Sequence, residues 1–417
     1  MEINKIVFYQ PSRIVGGAEY LFVRLAEHLT IYHSYYEVYY VDYHDGIGHQ
    51  LTNSERIKFV DYEEGQKMYV ANGSAVIVRL ERISEIGERF KYDWHKSLFI
   101  YWCLDLTNIS SQITENGHYV ISSFTRKKLG RMLASLADND VVKFMGRGAY
   151  VKVLGPLGQP YKQVEWLPNM IPFNDNDPEP SYKRLKGERI RFSWLGRLDY
   201  AYAKILTTYM NELEQINKEH PLTLSIVGLG DQELVLKQRA SSYSYPIEFV
   251  GEKRGESLAE FIRNETDIGL ASGTSIYEFA LRGKPVIVKW RIPKIYEAGE
   301  LHDFTLTHEG NMVEYTDKFE TNFLCGNTFK AKVDQLLNDY EESAKMGYQF
   351  VLTKSPKYCC KQLLNAIVHI SDSDPQEITN MRDSIEDILI KGKQRISALR
   401  KFKNRVKSVL CCNSKRL

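Results

Sequence analysis

The 417-residue chain is 43% hydrophobic and 26% charged, with a formal net charge of +2, which is the profile of an ordinary soluble globular protein long enough for two domains. No stretch approaches the roughly 20 apolar residues of a membrane span, the N-terminal run lacks signal-peptide architecture, and so balanced a charge excludes a general nucleic-acid binder. The six cysteines, Cys103, Cys325, Cys359, Cys360, Cys411 and Cys412, show neither CxxC nor Cys/His metal spacing, which predicts reduced thiols in a cytoplasmic setting.

In chain order, residues 5–9 (KIVFY) read as a buried strand, followed by a loop to Gly16 and Gly17 and a helix over 19–29. Strand-like apolar runs recur at 37–43, 75–80, 97–102 and 118–123, the last leading into a basic helix over 126–136. Continuous apolar runs, unlike alternating ones, belong to parallel strands covered on both faces. Residues 1–172 therefore predict one Rossmann-like α/β domain, and 173–189, polar and aperiodic with prolines, predict a linker.

A second strand series at 190–196, 222–228, 247–251, 267–271 and 285–290 predicts another domain of the same class over 190–370. Beyond it, 371–417 spaces its apolar residues three or four apart, as an amphipathic helix does. Its end, 391–417, carries ten Lys or Arg and no acid, which suits peripheral attachment to an anionic membrane surface at the inner face of the cytoplasmic membrane. A solvated helix and one packed on a partner chain are the other readings of the same pattern.

Four short signals carry candidate chemistry. GGAE over 16–19 follows the first strand; Gly16 and Gly17 let backbone approach a ligand and open a helix toward it, although paired glycines also serve as plain turns. FSWLGRLDYAYAK over 192–204 puts Arg197 and Lys204 beyond a strand end, two cations that suit a diphosphate or, equally, surface ion pairs. VGLGDQE over 227–233 begins like a dinucleotide fingerprint, but Glu233 stands where the third glycine belongs, which argues for a turn and against an NAD enzyme. The fourth, over 267–290, runs from a strand through a Gly273-Thr274-Ser275 turn into a short helix stopped by Gly283 and Pro285. The amides of that turn and the helix dipole favour an anion; a capping box of Ser275 with Glu278 is the structural alternative.

In this order the motifs resemble those of the retaining nucleotide-sugar glycosyltransferases of GT-B fold, glycosyltransferase family 4 in particular, over residues 5–370. The Gly-Gly-Ala-Glu element matches 16–19, Pro-Asn matches Pro168 and Asn169, and Gly-Arg-Leu…Lys matches Gly196, Arg197, Leu198 and Lys204. Gly-x-Gly falls at 228–230, Phe-x-Gly at 249–251, and a Glu-centred helix ending Gly-x-Pro-Val-Ile at Glu278 and 283–287. The resemblance implies an α/β protein of two Rossmann-like domains facing a deep cleft, with no metal or other cofactor and a nucleotide diphosphate sugar as co-substrate. It places Arg197 and Lys204 on the donor diphosphate and Glu278 on the ribose hydroxyls, with Gly196 and Gly228 lining the same site. Gly16 and Gly17 would approach the phosphates and sugar, and Val250, Gly251 and Glu252 would lie near the base.

The sequence departs from the family at Leu270, where many members have a second glutamate, and in its shorter loop, so Gly273, Thr274 and Ser275 would take over contacts to the sugar. Lys204 stands slightly farther from Arg197 than is usual. Asp105 is the polar group in YWCLDL (101–106) near where relatives place a histidine, and is a candidate for contacting sugar or acceptor. The implied activity is transfer of a hexose-type sugar, with retention, to a glycan or lipid-linked acceptor in surface-polysaccharide or lipopolysaccharide assembly.

Three other readings compete. A nucleotide-sugar epimerase or hydrolase of the same fold would turn over donor without an acceptor, and a catalytically silent binding protein would bind it without turnover. A metal-dependent GT-A enzyme would use residues 366–374 (AIVHISDSD) as a strand running into Asp372-x-Asp374, or one of the DND triplets at 138–140 and 175–177. The position of Asp372-x-Asp374 after two complete α/β halves argues against that reading.

Overall fold

The computed structural model describes residues 2–14, 17–52, 54–93, 95–104, 108–171, 179–271, 274–289, 304–306 and 328–413. The chain divides into two compact units, residues 1–172 with 356–417, and residues 173–355.

In the first unit a six-stranded parallel sheet contains β1 (Lys5–Tyr9), β2 (Glu37–Asp42), β3 (Ile57–Asp61), β4 (Ser74–Arg79), β5 (Ser97–Cys103) and β6 (Val142–Phe144), in the order β6-β5-β4-β1-β2-β3. Central strands are apolar throughout because both faces are covered: Ile6, Phe8 and Tyr9 of β1 and Val76, Ile77 and Val78 of β4 have no exposed surface. Helix α1 (Gly17–Tyr32) buries Phe22, Val23, Leu25, Ala26 and Leu29 at helical spacing.

Three elements differ from expectation: the edge strand β3, absent from the expected series, the segment 118–123, and β6. Residues 118–123 are not a sheet strand; His118–Tyr119 pairs antiparallel with Thr114–Glu115 around Asn116 and Gly117, both at positive φ, and Ser122 already caps α2 (Ser123–Asp138). The outer strand is instead β6, which sequence periodicity missed because it is three residues long and its centre is Lys143. That lysine is buried at 1% exposure and neutralised by Asp140 at 2.7 Å, whose other carboxylate oxygen lies 2.8 Å from His369 Nδ1.

The second unit repeats the design with β7 (Ile190–Leu195), β8 (Leu222–Val227), β9 (Ile247–Gly251), β10 (Ile268–Ala271), β11 (Val286–Lys289) and β12 (Phe304–Leu306), ordered β9-β8-β7-β10-β11-β12. All neighbours are parallel except β11 and β12, an antiparallel pair whose edge member, β12, lies outside the expected series. Trp194, Phe192, Tyr209 and Phe329 fill the core, and the buried Tyr209 hydroxyl donates to Ile287 O at 2.9 Å. The fully buried Asp267 precedes β10 and accepts the N–H groups of Leu185 (2.8 Å) and Arg191 (2.9 Å), fastening the end of the linker to the amino edge of the sheet.

Three helices cover 329–371: α8 (Phe329–Asn338), α9 (Tyr340–Leu352) and α10 (Pro356–Ser371). The sequence reading ended the second domain at residue 370, whereas α10 belongs to the first unit, lying on α1 and β5 and burying Cys359, Cys360, Leu363, Ala366, Ile367 and Ile370. This also removes the strand that the GT-A reading needs, because residues 366–371 are helical. Asp374 Oδ1 accepts the Gln376 N–H at 2.9 Å at the start of α11 (Pro375–Asn413). Among the described residues no group of three or more His, Cys, Asp or Glu side chains could hold a metal ion.

The first part of the tail packs on its own chain. Helix α11 packs on α2 and on a 3-10 turn at Leu80–Glu85, with Ile385 and Leu389 fully buried, each stabilising by about 1.5–3 kcal/mol. Gly392 passes so close to Gln112 O that a Cβ there would lie 2.6 Å from it. After Ile396 the residues 397–403 are all exposed. Among the described residues no helix is long and apolar enough to cross a membrane.

Candidate functional site

In an open parallel sheet, ligands gather beyond the carboxyl ends of the strands where the strand order reverses. In the second unit that point lies between β7 and β10, since the chain runs outward through β8 and β9 and then returns to the other side of β7. Gly196 and Arg197 leave β7 there, and Thr274 and Ser275 follow β10.

Three strand-end loops are laced together beside this point. Gly196 N–H donates to Val227 O at 3.2 Å, Leu198 N–H to Leu229 O at 2.9 Å, Gln232 N–H to Leu198 O at 2.9 Å, and Gly228 N–H to Gly251 O at 2.9 Å. Only glycine permits this: Gly228 has φ +144°, and a Cβ on it would lie 2.0 Å from Gly196 O, while one on Gly230 would lie 2.3 Å from Leu198 C. The Gly-x-Gly element therefore packs one loop against the next and does not begin a dinucleotide helix. Helix α5 (Glu233–Ala240) starts only at Glu233.

The cations stand at the surface of this floor. Arg197 is 74% exposed, with Nη2 3.5 Å from Asp199 Oδ2 and its guanidinium 5.3 Å from the Tyr202 ring centroid. Lys204 lies one turn into α4 (Tyr200–Ile216), exposed, with Nζ 4.7 Å from the Tyr200 ring centroid. Glu252 pairs with Arg254 Nε at 2.9 Å, and Val250 is half-buried at the same edge.

The capping-box alternative does not form. Helix α7 (Ser275–Ala280) has Thr274 as its N-cap, in helical backbone conformation and without a side-chain cap bond, and Glu278 instead meets Arg282 Nη1 at 2.8 Å. At six residues α7 is also too short for its dipole to matter much, which leaves the individual amides of the turn. Gly283, at φ +69°, ends the turn after α7 as expected, where a Cβ would lie 2.5 Å from Ser181 O. Lys284, buried at 3% exposure, has its ammonium pKa pushed down by burial and stands in the field of Asp267.

In the first unit the loop after β1 is held by two buried contacts that motif reading did not single out. Glu19 of GGAE accepts Gln10 Nε2 at 2.7 Å, both side chains buried. Asp42 at the end of β2 accepts the N–H groups of Ser12 (2.8 Å), Tyr43 (2.8 Å) and Gly48 (2.7 Å). Burial raises the Asp42 carboxyl pKa against these donors. An added Cβ at Gly17 would meet nothing within 4 Å, so the space over the helix start is open. Pro168 O receives the Cys359 thiol at 3.6 Å, and Trp102 Nε1 donates to Leu167 O at 2.8 Å, which anchors the Pro-Asn element.

The sequence-derived set thus sorts into three groups. Gly196, Arg197, Gly228, Val250, Gly251, Glu252, Thr274, Ser275 and Glu278 meet at the carboxyl edge of the second sheet, with Lys204 on the helix that follows β7. Gly17 lies at the carboxyl edge of the first. Gly16, Asp105 and Gly273 lie outside the described residues, as does the linker over 173–178.

No protein-family model matches the chain, and no curated protein sequence does. Solved structures do. The apo form of the lipopolysaccharide outer core galactosyltransferase WaaB aligns with TM-score 0.52 and 11% identity over 87% of this chain and 99% of its own. A trehalose-6-phosphate structure from E. coli bound with UDP-2-fluoro glucose aligns with TM-score 0.52 and 10% identity over 89% of this chain and 99% of its own. With two Rossmann-like parallel sheets and their covering helices, the chain has the GT-B fold.

Proposed function

We propose that the protein is a glycosyltransferase that moves a hexose-type sugar from a nucleotide diphosphate donor to a glycan or lipid-linked acceptor, with retention and without a metal, in surface-polysaccharide or lipopolysaccharide assembly. One observation supports the reading: the residues of the family-4-like motifs, scattered over 196–278, follow strand ends along the carboxyl edge of one sheet, beside its switch point. Two structures of similar fold, a galactosyltransferase and a UDP-2-fluoro glucose complex, favour the same chemistry.

Breaking the anomeric C–O bond leaves a diphosphate with extra negative charge and an oxocarbenium-like sugar. The service required is electrostatic, from donors aimed at the leaving group before it departs. Arg197 and Lys204 would supply fixed cations, the amides around Thr274 and Ser275 would supply N–H donors, and Glu278 would take the ribose hydroxyls. Gly251 and Glu252 would border the base.

Thermal-shift screening against UDP-, GDP- and dTDP-sugars tests the donor site; a folded protein that no nucleotide diphosphate stabilises would refute it. Donor turnover only with an acceptor present separates a transferase from an epimerase or hydrolase, and loss of activity in excess EDTA would overturn the metal-free assignment.

The outer part of α11 fits an anionic membrane surface. Leu399 and Phe402 are 42% and 65% exposed among Arg400, Lys401 and Lys403. Deletion of residues 397–417 gives up the Arg400–Glu115 pair but keeps the buried residues through Ile396. The full chain should co-sediment with anionic liposomes and the shortened one should not.

A further inference from the structure

We propose that the acceptor carries a phosphate, and that Arg79 and Arg82 at the switch point of the first sheet bind it; this deepens the transferase reading and rests on it. The order β6-β5-β4-β1-β2-β3 places that switch point between β1 and β4. Strand β4 ends at Arg79, and the chain turns at once into a 3-10 helix at Leu80–Glu85 and a short helix at Ile86–Arg89. This delivers three arginines to the carboxyl edge beside Tyr9, the last residue of β1. The Arg82 guanidinium lies 5.5 Å from the Tyr9 ring centroid, and Arg89 Nη1 lies 3.2 Å from the Tyr9 hydroxyl.

The cations differ in how well they are met. Arg89 is fully engaged, with Nε on Glu85 at 2.6 Å and Nη1 on the hydroxyls of Tyr62 (2.7 Å) and Tyr9. Arg82 has only a 3.7 Å approach to the same Glu85, and its Nε is buried without a hydrogen-bond partner. Arg79 Nε itself lies in ion-pair contact with Glu81 but out of line for a hydrogen bond, so its charge is met while its N–H is not. Both side chains are about four-fifths buried, at 23% and 20% exposure, where an unmet guanidinium N–H is costly. Lys393 from α11 also reaches Glu85, at 3.7 Å. The ion pairs in this cluster thus join four cations to two carboxylates.

Two neighbouring guanidiniums whose Nε–H groups make no hydrogen bond suit a phosphate monoester, which is close to a dianion near neutral pH. Planar guanidinium forks bind its oxygens in pairs, so the group that completes Arg79 and Arg82 is one that the second unit's donor does not need to provide. The chemistry is shared by a sugar phosphate and a lipid-linked sugar phosphate.

Calorimetric titration of the full chain at constant ionic strength, with and without saturating UDP, tests the assignment, using glucose 1-phosphate, octyl phosphate, glucuronate and glucose as probes. Glucose 1-phosphate should bind at least tenfold more tightly than glucose, with Arg82→Gln and Arg79→Gln each removing most of that difference. Arg82→Lys, which keeps the charge and loses the fork, should fall between. A folded Arg82→Gln protein that binds glucose 1-phosphate as the unmutated chain does would overturn the proposal, as would equal binding of glucose. Glucuronate binding as tightly as the phosphate would replace it with a carboxylate site. Octyl phosphate binding more tightly than glucose 1-phosphate would assign the phosphate to a lipid-linked acceptor. The UDP thermal shift reads the donor site separately, so its absence would sink the transferase reading without deciding the Arg82 comparison.

Discussion

Replacing Arg197 by alanine separates a catalytic role from a structural one, because the structure bounds the structural part. Its ion pair with Asp199 spans 3.5 Å between side chains 74% and 38% exposed. At the dielectric of water such a pair is worth about 1 kcal/mol before side-chain ordering is charged against it, and exposed pairs measure about 0–1 kcal/mol. The Tyr202 ring, 5.3 Å from the guanidinium, adds no more than about 0.5–1 kcal/mol at an exposed site. Unliganded stability should therefore fall by at most about 1–2 kcal/mol, a few degrees in melting temperature for a unit of this size. If Arg197 faces the departing diphosphate, the loss falls on the transition state instead. Removing one preorganised donor costs about 3–4 kcal/mol there, or roughly a hundredfold to a thousandfold in turnover. The assay is release of nucleotide diphosphate under saturating donor, with the melting temperature measured on the same preparation. Turnover within about tenfold of the unmutated protein, at unchanged stability, would refute the placement of Arg197 on the leaving group.

Gly228→Ala should destabilise the second unit by about 1–3 kcal/mol in chemical denaturation and abolish nucleotide stabilisation, since its Cβ would meet backbone 2.0 Å away; an unchanged denaturation midpoint would show that the loops move apart freely. Asp267→Ala strands the buried N–H groups of Leu185 and Arg191 and should cost about 3 kcal/mol, with donor affinity of the folded fraction intact because Asp267 sits at the opposite edge of the sheet. Arg400 hydrogen-bonds Glu115 at 3.0 Å and holds its carboxyl below the ordinary 4.5. A depressed carboxylate stabilises the fold above its ordinary value and loses that contribution as the pH falls through its lowered one. Hydrogen exchange across 397–403, corrected for intrinsic rate, should thus accelerate as the pH falls through that lowered value; a profile that stays flat until Glu115 is fully protonated would remove it as the anchor.

Much of the architecture was legible because parallel strands covered on both faces must be apolar along their whole length. Nine of the expected strands stand within a residue or so of their positions, from β1 to β11. The exceptions have local causes. At 118–123, an Asn-Gly turn and a serine cap outweighed an apolar run, and β6 hid its signal behind a buried lysine that is met by Asp140, three residues before it. Glu19 could be quoted as part of a motif, but its bond to Gln10 lies across a loop that no periodicity encodes.

By itself the sequence determined most of the strands and the fold class, because those follow from burial patterning, and it nominated candidate residues by their type. The tertiary structure alone decided that β7 and β10 are neighbours, that three glycine loops interlock, that α10 and α11 return to the first unit, and that Arg79 and Arg82 share an edge with Tyr9. Each of these joins residues far apart in the chain through crossovers and packed faces, and local propensity does not reach that far.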